Sequence, residues 1–440
     1  MIDPLRGRVR WALIGWMFAI SAIAYLDRVN ISIAGHTIEQ EFHLTDVQLG
    51  WVFGAFVAGY ALFQTPGGRL ADRFGPRKIL AMGTIWWAVF TSATALVPPG
   101  IAHALLVLLA VRFALGLGEA VVYPSSNRLV ASWIPSQERG VANGLIFAGV
   151  GAGAGVTPPI ITYILLNYGW RWSFWISALL GLVAGAVWYL LARDRPEEHP
   201  LVTPREARYI QAGLPREPAG PRESHAIPWR TVLLVTASYS CFGYVAYIFF
   251  TWFFIYLSTV RHLDLKSSAL YGMLPFIAMA TCSPLGGWIS DGLTKRYGKR
   301  IGRCGFASAT IGLAAVFIAI STKAVDARLA TVVLAGGAGA LYLATSVFWS
   351  VSADLGGSSA GTVSGVMNTG NQAAGAATAV VTPWIAVHFG WTTSFLAAAA
   401  LCVVGSLAWL AVDPERKIAG PLPYGRGSES GSEPGPEGTP

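Results

Sequence analysis

Four charges sit where an apolar chain should carry none. Asp27 and Arg28 lie inside an apolar segment from Trp11 to Ala34, and Arg112 and Glu119 inside another from His103 to about Val130. A charge at mid-bilayer costs at least ~2.5–3.5 kcal/mol on insertion scales, so it is kept where it faces a water-filled cavity or marks an ion or substrate path. On a helix, Arg112 and Glu119 are two turns apart and share a face, about 10.5 Å apart along the axis. The arginine can fix an anion at one level. The glutamate can take up and release a proton at the other, since a carboxyl withdrawn from water can trade its charge for a proton. Asp27 and Arg28 are adjacent and point about 100° apart, so they take different partners. The competing role is structural, a buried ion pair joining Glu119 to Arg28 or Arg112 to Asp27.

These residues need elements that hold them inside a membrane. The chain of 440 residues is 54% hydrophobic, with a mean hydropathy of +0.52. About 20 mostly apolar residues cross the hydrocarbon core, and the apolar runs are continuous rather than alternating, which predicts helices and not a barrel. Twelve such runs are expected. Six lie at roughly 11–34, 49–68, 79–97, 103–130, 141–165 and 172–192, and six at 229–258, 268–290, 303–321, 328–352, 361–386 and 391–412. The expected fold class is therefore all-α integral membrane, twelve transmembrane helices in two six-helix bundles. The N-terminal bundle spans 1–192, a Pro-, Arg- and Glu-rich linker 193–228, and the C-terminal bundle 229–412. The Gly-, Pro-, Ser- and Glu-rich tail 413–440 is expected to be disordered and cytoplasmic.

The formal net charge of +8 is explained by orientation and needs no nucleic acid. With alternating spans, 23 of the 31 Lys and Arg residues fall on the side of the N-terminus and 5 on the other. The positive-inside rule then places both termini in the cytoplasm, in a multi-pass protein of the plasma (inner) membrane. The first apolar run is too long for a cleavable signal peptide and is interrupted by Asp27-Arg28. Cys241, Cys282, Cys304 and Cys402 all fall in expected spans without metal-ligand spacing. No metal or cofactor is expected beyond protons as the coupling ion. No nucleophile, base and orienter stand together as an enzyme would need.

A weak repeat joins the two halves. GGRLADRFGPRK (Gly67 to Lys78) follows the second span and GGWISDGLTKRYGKR (Gly286 to Arg300) the eighth. Each has paired glycines, then an aspartate, then a basic cluster, as in parallel repeats about an axis along the membrane normal. Neither follows a strand or carries a P-loop pattern. The glycine run GVGAGAGV (Gly149 to Val156) with Pro158-Pro159 is read as close helix packing with a proline kink, not as a dinucleotide fingerprint.

Twelve spans, a six-plus-six division and GGRLADRFGPRK together resemble the major facilitator superfamily. The finer resemblance is to its anion:cation symporter branch, which carries sugar acids and other organic anions. It rests on YLDRVNISIAG (Tyr25 to Gly35), GYALFQTPGG (Tyr60 to Gly68), RFALGLGEA (Arg112 to Ala120), YPSSNR (Tyr123 to Arg128), GWRWSFWI (Gly169 to Ile176) and YIFFTWFFIYL (Tyr247 to Leu257). The resemblance implies that Glu119 and Asp27 are the proton-coupling residues and that the anion site lies in the first and fourth helices.

Arg28 and Arg112 are the expected anion contacts, with Tyr25, Tyr60, Ser346, Trp349, Asn368 and Asn371 supplying neutral contacts to hydroxyls. The second half holds no charge at mid-depth in its expected spans, so it should contribute neutral hydrogen bonds. Asp72, with Arg73, Arg128 and Arg139, is the expected cytoplasmic gate, Asp72 pairing with Arg139 or Arg128 and with a helix N-terminus from the other half. The expected function is proton-coupled import of an organic anion such as a hexonate, hexuronate or aldarate, by a monomer in the lipid bilayer. Two alternatives stand beside it: an organophosphate:phosphate exchanger, which would want a further deep arginine in the seventh helix, and a transporter-like ligand sensor, which would want a signalling module.

Overall fold

The protein is described by a computed structural model over residues 8–214, 227–253, 256–263 and 270–414. Residues 215–226 of the expected linker and 415–440 of the expected tail lie outside the described residues. Among the described residues fourteen α-helices position the site: α1 (Arg8–Phe42), α2 (Asp46–Phe74), α3 (Pro76–Leu96), α4 (Ala104–Glu119), α5 (Val122–Trp133), α6 (Arg139–Tyr168), α7 (Trp170–Leu191), α8 (Pro204–Gly213), α9 (Trp229–Thr251), α10 (Leu274–Lys299), α11 (Phe306–Ser321), α12 (Ala327–Leu343), α13 (Thr345–Gly356) and α14 (Ala360–Leu410). Among the described residues the regular structure is all helical.

The expectation of twelve separate spans in two six-helix bundles is corrected. Eight helical segments among the described residues are long and apolar enough to cross a membrane. Hydropathy divides a chain where polar residues fall, whereas here several helices follow one another with only a kink or a tight turn between them. Leu270–Ser321 is one run of 52 residues and Ala327–Leu410 one of 84, each kinked at a glycine whose backbone is not helical, Gly298 at φ 83° and Gly390 at φ 85°. The expected span at 49–68 falls in α2, which is absent from the eight. That helix carries Gln48, Gln64, Arg69, Asp72 and Arg73.

Glycines set how closely the helices approach. Along α6 they alternate between two neighbours. A Cβ at Gly149 or Gly153 would strike the backbone of α1 at Phe18 or Ala22, and one at Gly144 or Gly151 the backbone of α10 at Ser283 or Phe276. The run GVGAGAGV is thus a two-sided packing face, and α6 stays helical through Pro158 and Pro159. The repeated Gly-Gly pairs do the same at two other seams. Gly68 of α2 abuts the carbonyl of Gly361 at the start of α14, and Gly287 of α10 abuts that of Gly140 at the start of α6.

Residues 193–214 pack against the body of the molecule through α8. Ile210 is fully buried, and the Thr203 hydroxyl caps the helix by accepting from Glu206 N at 3.2 Å. Glu206 in turn accepts from Arg10 N at 3.3 Å. Arg10 pairs with Glu138 at 3.0 Å, and Tyr209 donates to Glu138 at 2.6 Å, a bond that raises the Tyr209 phenol above its ordinary range.

Candidate functional site

α1, α2, α3 and α4 bring Asp27, Arg28, Arg112 and Glu119 together in the interior. Asp27, Arg112 and Glu119 are each 1% exposed. Arg28 Nε donates to Glu119 Oε1 at 2.6 Å, so the first helix is tied to the fourth by a buried ion pair. Glu119 is the last residue of α4, and its second oxygen, Oε2, has no hydrogen-bond partner. Asp27 is held by α3 instead of by an arginine. Its Oδ2 accepts from Trp87 Nε1 at 2.9 Å and Thr91 Oγ1 at 3.2 Å, leaving Oδ1 without a partner.

Arg112 is the buried charge of the cluster with donors left unpaired. Its Nε and Nη1 have no hydrogen-bond partner among the described residues. Leaving a buried charged donor unmade is costly, more so than for a neutral group, and native interiors rarely tolerate it without a reason. Both guanidiniums lean on Phe56 of α2, at 5.0 Å for Arg112 and 5.3 Å for Arg28. Arg28 also lies 4.0 Å from the Tyr60 ring and 5.0 Å from that of Tyr25. Aromatic faces stabilise a desolvated cation, so Phe56 supports Arg112 without an ion pair to it, while Arg28 has Glu119 as well.

Tyr25 and Tyr60 form one wall of a narrow cavity. Tyr123, Phe147 and Val150 come from α5 and α6, and α9 adds Tyr239, Tyr247 and Phe250. On the far side stand Tyr342 and Thr345 and, from α14, Asn368, Asn371 and Gln372. The groups contributed by α9 and by the helices after it are neutral. Asn371 donates to Asn368 Oδ1 at 3.4 Å while its own Oδ1 is unpartnered, and Tyr247 donates to Gln372 Oε1 at 2.5 Å. Ser346 is fully buried with an unpartnered hydroxyl, next to the cavity-lining Thr345 rather than in the wall itself. Trp349 stands one layer behind, its ring tilted against Phe147 at 4.9 Å and donating to Tyr239 OH at 3.0 Å.

At the basic side of the molecule, two aspartates cap two helices across the glycine seams. Asp72 accepts from Gly361 N at 2.9 Å and from Thr362 N and Oγ1 at 2.7 and 2.6 Å, at the start of α14. Asp291 accepts from Gly140 N at 3.0 Å and Val141 N at 2.7 Å, at the start of α6. A carboxylate at a helix N-terminus meets the positive end of the dipole and its free N–H groups. Each aspartate also has an arginine nearby: Arg128 lies 3.6 Å from Asp72 Oδ1 and Arg303 lies 2.6 Å from Asp291 Oδ1. Arg139 goes elsewhere than to Asp72. Its guanidinium pairs with Asp354, which Lys299 also reaches at 2.6 Å, and it donates to the Ala131 and Ile134 carbonyls. Arg73 is exposed, over the ring of Phe74.

Against known proteins, residues 17–379 match the Major Facilitator Superfamily. The chain belongs to that superfamily. Its relatives include the probable sulfoacetate transporter SauU of Cupriavidus necator, 35% identical over 94% of this chain and 96% of that one. The hexuronate transporter of Bacillus subtilis is 28% identical over 89% and 92% of the two chains. Among solved structures, the proton:xylose symporter XylE superposes with a TM-score of 0.71 at 13% identity, over 90% of this chain and 94% of that one. The superfamily member described here is thus a multi-pass membrane protein and a transporter, not an enzyme. Among its described residues no group of three or more His, Cys, Asp or Glu could hold a metal ion.

Sequence reasoning named Tyr25, Tyr60, Asn368 and Asn371 among the cavity's neutral residues and passed over Tyr123, Tyr239, Tyr247 and Gln372. Tyr123 and Tyr247 lie in the stretches YPSSNR and YIFFTWFFIYL, yet a tyrosine in an apolar span has no local mark separating wall from core. Asp354, the partner of Arg139, was equally silent, because one carboxylate near a helix end looks like any solvated end. Asp291 did carry a signal, its place in the second copy of the Gly-Gly repeat.

Proposed function

We propose that the protein is a proton-coupled symporter that imports a small organic anion, a sugar acid such as a hexonate, hexuronate or aldarate, by alternating access. The observation that carries this reading is a buried Arg28–Glu119 pair beside a second buried arginine, Arg112, with donors to spare. The names of the relatives, sulfoacetate and hexuronate transporters, support an anion of this size, and the likeness to XylE supports the fold. The 23-to-5 distribution of basic residues supports both termini in the cytoplasm of a plasma (inner) membrane protein, here taken to act as a monomer.

The residues divide the work as follows. With Glu119 charged, Arg28 is engaged and only Arg112 is available to an anion. A proton on Glu119, entering at the unpartnered Oε2, removes the charge that holds Arg28. Both guanidiniums can then bind the carboxylate, with bidentate hydrogen bonds open to each. Asp27, with Oδ1 free and Oδ2 anchored on α3, is the second proton carrier and balances Arg112. Tyr25, Tyr60, Asn368 and Asn371 contact the rest of the substrate, with Ser346 and Trp349 supporting the far wall. The segments 1–192 and 229–412 move relative to one another so that the site opens to one side at a time.

In this reading Asp72 and Arg128 close the cytoplasmic side, with Arg139 fixed to Asp354 in the same layer and Arg73 marking its basic rim. Asp72→Asn keeps an acceptor but loses the charge that faces the α14 N-terminus, an interaction worth about 0.3–2 kcal/mol. The inward-open population should therefore rise several-fold, read as faster labelling of a cytoplasmic-side cysteine and an altered KM. Labelling and kinetics identical to wild type would remove Asp72 from the gate. The reading as a whole is tested by uptake into proteoliposomes of a hexuronate and of sulfoacetate, with and without an inward proton gradient. Gradient-driven accumulation of either supports it.

A further inference from the structure

One buried side chain beside the site has no role in the scheme above. Gln64 is fully buried, and neither its Oε1 nor its Nε2 has a hydrogen-bond partner. It follows Tyr60 by one turn on α2, in an i, i+4 row that runs Phe56, Tyr60, Gln64, Gly68, Asp72. The row begins at the ring that carries both arginines and ends at the aspartate that caps α14. Tyr60 OH also lacks a well-formed hydrogen bond, although Arg28 and Gln64 both lie close enough to interact with it. Across from Gln64, α14 is in backbone contact at Gly365, one turn before the cavity-lining Asn368.

An amide with both its acceptor and its donors unpaired asks for a group that gives and takes a hydrogen bond. A hydroxyl does both. A carboxylate or sulfonate would satisfy Nε2 alone and place negative charge against Oε1. We propose that Gln64, with the Tyr60 hydroxyl, is a hydroxyl-reading subsite one helical turn to the gate side of the arginines, and that it selects hydroxylated acids over acids without hydroxyls. The proposal rests on the reading of this site as an organic-anion site and adds the residue that sets its specificity. A pocket built to hydrogen-bond a substrate hydroxyl discriminates strongly against the analogue that lacks it, because the pocket's own groups are then left unmade.

The experiment compares wild type with Gln64→Leu and Gln64→Met, purified and reconstituted. It uses galacturonate as the hydroxylated probe and sulfoacetate as the hydroxyl-free one. Melting temperature without ligand is read first, then uptake of each anion. Removing an unpaired buried amide should leave the melting temperature unchanged or raise it. Galacturonate kcat/KM should fall at least tenfold while that of sulfoacetate stays within about twofold, so the ratio between the two collapses. A preserved ratio, with wild type active, overturns the subsite and leaves the transport reading standing. A clear loss of melting temperature in both variants also overturns it, since the amide would then be satisfied by the protein itself. Wild type inert toward both anions strikes the transport reading instead.

Discussion

Glu119→Gln should abolish proton-driven accumulation while leaving anion exchange across the membrane intact. The substitution fixes the neutral form of the side chain. Gln can still accept from Arg28 Nε, now 2.6 Å from Glu119 Oε1, so the helices α1 and α4 stay joined. It cannot carry a proton, and a step that needs Glu119 to release one is blocked. Accumulation against a gradient should fall by tenfold or more, to the level seen with the proton gradient collapsed. Exchange of external for internal anion needs no net proton release and should continue at a rate near that of wild type. Full gradient-driven uptake in the variant would remove Glu119 from coupling, and the Arg28–Glu119 pair would then be only a tie between helices.

Arg112→Leu should lose the substrate. Truncating one partner of a buried, hydrogen-bonded charge pair costs about 2–5 kcal/mol of binding, ~30-fold at the low end. The free protein should not suffer in parallel, because Arg112 Nε and Nη1 have no hydrogen bonds to lose and Asp27, left without its balancing charge, can take up a proton. The expected result is a raised or unchanged melting temperature, with no thermal stabilisation by the anion that wild type transports. Arg112→Lys should not restore binding, since an ammonium lacks the planar fork that grips a carboxylate and stacks on Phe56. Strong anion-induced stabilisation of Arg112→Leu would move the anion site away from this arginine.

The charged part of the candidate site stood out because charge in an apolar run is a local signal. Asp27, Arg28, Arg112 and Glu119 stand out in the sequence, and the spacing of seven places two of them on one face. The superfamily was legible in the same stretches and in the Gly-Gly repeat. The structure adds why that repeat exists, since Gly68 and Gly287 let backbones touch while Asp72 and Asp291 cap the helices they touch. What could not be read was which neutral residue faces what. Gln64, Tyr123 and Tyr239 are of types that occur in any membrane helix, and only three-dimensional packing shows Gln64 unpaired. The helix count failed for a related reason. Hydropathy marks where polarity interrupts an apolar run, but hydrogen bonding decides where a helix ends, and α2 and the long runs after residue 270 part the two criteria.

The central claim is that an organic anion and a proton cross together. It is tested most directly by charge-movement recordings on proteoliposomes adsorbed to a solid-supported membrane, with galacturonate and sulfoacetate applied at equal and at unequal pH across the bilayer. The account predicts a transient current on addition of an accepted anion. That current should grow with an inward proton gradient, and this growth should vanish in Glu119→Gln. An anion-evoked current or flux indifferent to the proton gradient, and unchanged in Glu119→Gln, would contradict it.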